Sequence, residues 1–222
     1  MGMAARMNAA NRFPRILAGR LSTLRAAVDV QHIYRTGLHR GDRGSRYTLE
    51  NGTHIHEADA TLIYAAALTV WLRSRGAAVL TNNPITGELT GPYSRRIKAA
   101  IMWGTDCYLA CHLNAGGGSY AAFEYLVGST ASGQLADRVR TQLIPFSEIR
   151  STHAVPLAPG QRGEVCLRGF PLSGAALILE PFFGDNPDQQ DLFAATKLHQ
   201  LGETIGEGIA QWWERRAVVR VA

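Results

Sequence analysis

The chain has 222 residues, 46% of them hydrophobic and 18% charged, enough for one globular domain with a core that needs neither disulfides nor metal to fold. Three cysteines, an odd number, all in apolar contexts and with no C-x-x-C pair, exclude a disulfide framework and a cysteine zinc knuckle. The net charge of +5 favours an anionic polymer or surface as partner. The Lys and Arg residues are scattered without interleaved aromatics, so nucleic-acid binding is not expected. No apolar run reaches the ~18 residues of a membrane span, which argues against stable membrane insertion.

Residues 1–25 form an Arg-rich lead that lacks the apolar centre of a secretory signal, with one short helix expected after Pro14 on Ile16, Leu17, Leu21 and Leu24. The expectation is a protein made in the cytoplasm without a signal peptide. The domain runs from 26 to 222 and opens with a strand at Ala26–Gln31. The Gly-, Arg- and Asp-rich segment Thr36–Thr53 has no periodicity and reads as a long loop, a feature that in compact domains is usually functional.

From Glu57, the residues Ala58, Leu62, Ala65, Leu68 and Leu72 supply a helical apolar face, stopped by Gly76. A strand at Ala77–Leu80, a turn at Asn82–Gly87 and a helix at Ser94–Trp103 follow. Further strands are expected at Cys107–Leu113 and Ala121–Val127, and Ser129 caps a helix through Leu135, Val139 and Leu143 to Pro145. Residues 146–171 read as irregular, with a short strand at Glu164–Leu167. Ala175–Leu179 is an apolar strand ending on Glu180. An amphipathic helix from Gln189 to about Arg216 closes the chain and docks Trp212 and Trp213 on the core. Strands alternating with helices imply an α/β single domain: a twisted, mainly parallel sheet with helices on both faces.

Three polar residues terminate predicted strands (His32, His112 and Glu180), and a fourth, Glu57, opens a helix. In a parallel sheet the C-terminal strand ends and the following helix N-termini share one edge, so these groups can converge. Two imidazoles and a carboxylate are a common hydrolytic zinc set that leaves a coordination position for water, and a further carboxylate can take the proton from that water. The bland readings are a hydrogen-bonded rim histidine at His112 and a structural ion pair from Glu180 to Arg96 or Arg168. Arg96 itself reads as a buried helix-start arginine paired with a carboxylate.

The sequence resembles the zinc-dependent N-acetylmuramoyl-L-alanine amidases of bacterial autolysins, cell-separation enzymes and phage endolysins. Their D-x-G-H is matched by Asp29-Val30-Gln31-His32, their helix-heading Glu by Glu57, and S-I-H-x-N-A by Ala110-Cys111-His112-Leu113-Asn114-Ala115. Their P-x-x-L-x-E-x-x-F-x-x-N is echoed by Ala176 to Asn186, with Glu180, Phe183 and Asn186 in place. The likeness covers residues 26–216.

It implies zinc (Zn2+) held by His32, Glu57 and His112, with Glu180 as catalytic general base. Asn114, with Gly116–Gly118, can take part in substrate binding through backbone groups, the plain alternative being a turn. The bond cut is the amide between N-acetylmuramic acid and L-alanine in peptidoglycan. With neither a signal peptide nor a repeated wall-binding module read in the sequence, the expected setting is a compact phage or prophage endolysin that reaches the cell wall through a holin-type release partner. The rivals are another zinc peptidase acting on wall peptides, and a degenerate member that only binds wall polymer.

The chain departs from the pattern in several places. Gln31 stands where the family has Gly, Ile33-Tyr34-Arg35 replace the usual glycines, and Thr81-Asn82 stands for Thr-Arg. The spacing from His32 to Glu57 is long, so 36–53 looks like an insertion near the groove. His54 and His56 flank Glu57 and compete with it as ligands.

Overall fold

A computed structural model of the chain describes residues 21–32, 43–82 and 89–219. The expected helix after Pro14 and most of the Arg-rich lead lie outside the described residues, as do most of the Asn82–Gly87 turn and the first part of the 36–53 loop. Leu21 and Leu24, assigned to that helix by their spacing, are fully buried in a turn that leads into the first strand.

The order of elements is β1 (Arg25–Val30), β2 (Arg46–Thr48), β3 (His54–His56), α1 (Glu57–Ser74), β4 (Ala78–Thr81), α2 (Tyr93–Trp103), β5 (Cys107–Cys111), β6 (Tyr120–Leu126), α3 (Thr130–Leu143), β7 (Ser151–Leu157), β8 (Ala175–Glu180) and α4 (Ala195–Val219). Six strands form one sheet in the order β4-β1-β5-β8-β6-β7. All pairings in it are parallel except β6 with β8. The mainly parallel sheet expected from the alternation of elements is therefore present, with one antiparallel junction.

Side chains alternate across a strand, and here the alternation feeds two cores. Ala26, Val28 and Val30 of β1, with Cys107, Leu109 and Cys111 of β5 and Leu177 and Leu179 of β8, face α1, α3 and α4. Ala27, Tyr108, Ala110, Ala176 and Ile178 face the other way, toward Ile97 and Ala100 of α2 and toward Leu167 and Phe170. Helices thus cover both faces. Trp212 and Trp213 are buried in the first core, as their place on the closing helix implies. The contact of α4 with α1 is so close that a Cβ on Gly202 would press on the Tyr64 carbonyl oxygen and fall 2.8 Å from Leu68 N. No helix among the described residues is long and apolar enough to cross a membrane.

Several local expectations change. The 36–53 segment is not structureless throughout: β2 and β3 pair as an antiparallel hairpin, Tyr47 opposite Ile55, because Tyr47 and Leu49 supply apolar anchors to the core. Residues 146–171 contain β7, an edge strand beside β6. Its alternation is blunted by Ser151, Thr152 and His153, and Pro156 is tolerated because an edge strand need not donate on both sides. Glu164–Cys166 is a single 3-10 turn, not a strand. The final helix begins at Ala195, and the preceding Pro187–Phe193 is a 3-10 segment capped by the Asn186 side chain, which accepts from Asp188 N–H.

Candidate metal centre and its groove

Each central strand delivers one polar side chain as its apolar run ends. His112 follows β5 and keeps its strand pairing, its N–H donating to Leu179 O at 3.0 Å, while Tyr64 Oη of α1 donates to His112 O at 2.9 Å. Counting in twos from Tyr108 and Ala110 puts the His112 side chain on the α2 face. Glu180 lies on the same face by the same count from Ala176 and Ile178.

Glu57 is the first residue of α1 and is 3% exposed. The amide hydrogens left over at the helix start are taken up by the 43–45 segment, with Glu57 N–H donating to Ser45 O at 2.8 Å and Ala58 N–H to Arg43 O at 3.0 Å. Gly44, at φ +69°, runs so close that a Cβ there would sit 2.8 Å from Glu57 Cβ. The carboxylate is thereby fixed on both oxygens. Oε2 accepts from Ser45 N–H at 3.0 Å, and Oε1 accepts from Leu113 N–H at 3.0 Å. Oε1 also lies 3.1 Å from His112 Nδ1 and 3.7 Å from His32 Nε2.

His32, Glu57 and His112 each offer one donor atom, and the three atoms all lie within 4.8 Å of one another. The two imidazoles pack edge to face with centroids 4.9 Å apart. Burial alone would raise the Glu57 pKa, but the hydrogen bond and positive charge offered by His112, then the charge of His32, outweigh it and hold the carboxyl below its usual value. Two imidazole nitrogens and an anionic oxygen gathered at the wall of an open groove match the donor chemistry of a divalent zinc site with a position to spare. The histidines beside Glu57 are not part of this trio: the His54 ring bonds Thr48 Oγ1 at 3.0 Å on the hairpin, and His56 is the N-cap residue of α1.

The groove around this trio has a volume of about 640 Å³ and includes Asn114, Tyr120, Glu124, Arg162 and Glu180 in its walls. Neither structural partner proposed for Glu180 takes it. Arg96 pairs with Asp29 at 3.0 Å, and Arg168 pairs with Glu164. The pKa of Glu180 is pushed up to about 8, first by burial and then by the negative charges of Glu124 and Glu57, with Arg162 pulling the other way. A carboxyl poised in that range suits proton transfer in either direction. Asn114 is on the rim, its Oδ1 accepting from Ala115 N–H at 2.9 Å. The adjoining glycine turn is tied down by Asp185, which accepts from Gly116 N–H at 2.7 Å and Gly117 N–H at 3.1 Å.

Four residues that shape the site, three of them in the groove wall, carry little signal in the sequence. Gln31 enters only as a departure from a pattern, yet its Oε1 lies 3.0 Å from His112 Nε2. Glu124 and Arg162 carry the field around Glu180, and Ser45 holds Glu57. Glu124 alone carried a signal, since alternation along β6 puts it on the face of Ala122, the residue opposite Glu180.

A family model described as N-acetylmuramoyl-L-alanine amidase matches residues 35–211. No curated protein matches. Among solved structures, Cwp6 from Clostridium difficile is similar at a TM-score of 0.68 and 23% identity, over 85% of this chain but only 29% of Cwp6. The N-acetylmuramyl-L-alanine amidase Ami1 from Mycobacterium smegmatis matches at 0.67 and 14% identity, over 88% of this chain and 99% of its own. The catalytic domain of the CD27L endolysin targeting Clostridia difficile matches at 0.58 and 18% identity, over 85% and 97% respectively. At these identities the likeness is one of fold.

Proposed function

Because the chain belongs to the N-acetylmuramoyl-L-alanine amidase family, we propose that its groove hydrolyses the amide between N-acetylmuramic acid and L-alanine in peptidoglycan, with zinc held by His32, Glu57 and His112. The observation that carries this reading is the convergence of those three donors within 4.8 Å on a groove that Glu180 also lines. Zinc bound there would polarise the scissile carbonyl and bring the pKa of the attacking water down toward ~7.

The chain's own residues do the rest. Glu57 brings one negative charge, fixed by the Ser45 and Leu113 amides, so the cation would meet an anion already in place. Glu180 takes a proton from the attacking water as the new C–O bond forms. It then gives that proton to the L-alanine nitrogen as the C–N bond breaks, leaving a free carboxylate on the lactyl group and a free amine on the peptide. Its raised pKa, about 8, serves the second half of that exchange as well as the first. Asn114 has committed its side-chain oxygen to Ala115, which leaves its NH2 to meet a substrate carbonyl. The +5 charge of the chain suits an anionic wall polymer.

The test is digestion of purified sacculi by zinc-loaded protein. New amino-terminal L-alanine is expected, with Glu180→Gln keeping zinc but losing activity by about 100-fold or more. Release of D-alanine without new L-alanine amino ends would make it a carboxypeptidase instead. Zinc-free protein that binds sacculi without cutting them would make it a wall-binding module.

A further inference from the structure

We propose that Gln31 is a positioning residue for the metal site: its side-chain amide decides which ring nitrogen of His112 keeps the proton, so that Nδ1 is the nitrogen presented to the cation. This rests on the zinc reading above and concerns a residue outside the ligand set. Gln31 stands where the D-x-G-H pattern has glycine, which offers no side chain for the purpose.

Asp29 is fully buried on β1. Its carboxylate accepts from Arg96 Nη1 at 3.0 Å, from Asn82 Nδ2 at 2.7 Å and from the Tyr108 hydroxyl. Two residues on and on the same face, Gln31 is 3% exposed. Its Nε2 lies 3.3 Å from Asp29 Oδ2 and 3.2 Å from Tyr108 Oη. A carboxylate only accepts and the amide NH2 only donates. The amide therefore cannot turn over without setting its oxygen against an anion. Its Oε1 is left facing His112 Nε2 at 3.0 Å. An amide oxygen only accepts, so Nε2 must carry the hydrogen.

The other ring nitrogen, Nδ1, faces Glu57 Oε1, inside the donor trio, and is the one whose lone pair is left for a metal. Cys166 Sγ, 3.9 Å from the same Nε2, is too distant and too weak an acceptor to compete. Partners that hold the far nitrogen of a metal-binding histidine set its tautomer and orientation, and losing them costs about 10–100-fold in metal affinity.

The experiment combines two readings on the purified 222-residue chain. Two-bond 1H–15N spectra of the zinc-loaded wild type should show His112 protonated on Nε2 and metal-bound through Nδ1. Competition with a chromophoric chelator should show Gln31→Met, close in size but without the oxygen, binding zinc about 10–100-fold more weakly, with the His112 Nε2 proton signal lost to exchange. A wild-type His112 protonated on Nδ1 overturns the proposal, and so does a Gln31→Met affinity within about twofold of wild type. If Gln31→Met does not fold, the wild-type spectrum decides alone. A wild type that binds no zinc overturns the metal reading and this inference together, whereas unaltered affinity in Gln31→Met overturns the role of Gln31 only.

Discussion

Replacing Gly202 by alanine tests whether the seam between α1 and α4 sets the position of the site as well as the stability of the fold. An added Cβ would press on the Tyr64 carbonyl oxygen and stand 2.8 Å from Leu68 N and 2.9 Å from Ala67 Cβ. Two of the three neighbours are backbone of α1, so no side chain can swing away and the helices must part. Overpacking of this kind costs about 1–3 kcal/mol, and rigid backbone on both sides puts this site near the upper end. Removing a helical glycine returns ~1 kcal/mol, leaving a net loss of about 2 kcal/mol. For a chain of this size that lowers Tm by about 4–8 °C.

The same displacement moves Tyr64, whose hydroxyl holds His112 O at 2.9 Å, and moves Glu57 at the head of α1, so zinc affinity should fall with it. Gly133→Ala is the control, because the atoms nearest to its Cβ belong to the Tyr125 side chain and stand 3.4 Å away. It should keep zinc affinity and raise Tm slightly through the helix-propensity gain. Thermal melts and chelator competition on both variants give the result. A Gly202→Ala protein as stable as wild type would refute the reasoning about the helix seam.

The remaining predictions concern charge. If Glu180 acts first as a base, its ionised form is the active one, and kcat/KM falls as pH drops below its raised pKa. Glu124→Gln removes a negative neighbour and should move that acid limb to lower pH, whereas Arg162→Gln removes the opposing positive charge and should move it higher; profiles that shift together, or not at all, would contradict the assignment. Arg96→Met removes the one cation paired with the buried Asp29 carboxylate among the described residues, which should cost about 3–5 kcal/mol in urea unfolding, and a loss under about 1 kcal/mol would mean that Asp29 is held mainly by Asn82 and Tyr108.

The strands that build the site were legible because they are continuous apolar runs, as strands covered on both faces must be. Cys107–Cys111 and Ala175–Glu180 are of this kind, and their ends announced His112 and Glu180 without any knowledge of the fold. β7 was not legible: its burial is partial, so its sequence carries polar residues and a proline that also suit a loop. The hairpin of β2 and β3 has only three residues in each strand, too few for a periodic pattern. Glu57 could be told from His54 and His56 only through the family resemblance, since all three are polar residues at one strand-to-helix junction. What separates them is the approach of residues 43–45, a contact distant in sequence. Gln31 was read as a loss of glycine because its role depends on a histidine 81 positions away.

The central claim, one divalent cation shared by His32, Glu57 and His112, is tested most directly by anomalous diffraction at the zinc edge from crystals of zinc-loaded protein. One strong peak in bonding contact with a nitrogen of each histidine and an oxygen of Glu57, with His112 bound through Nδ1, is the predicted result. A peak on His54 or His56, or His32 and His112 with no ion between them, would contradict it.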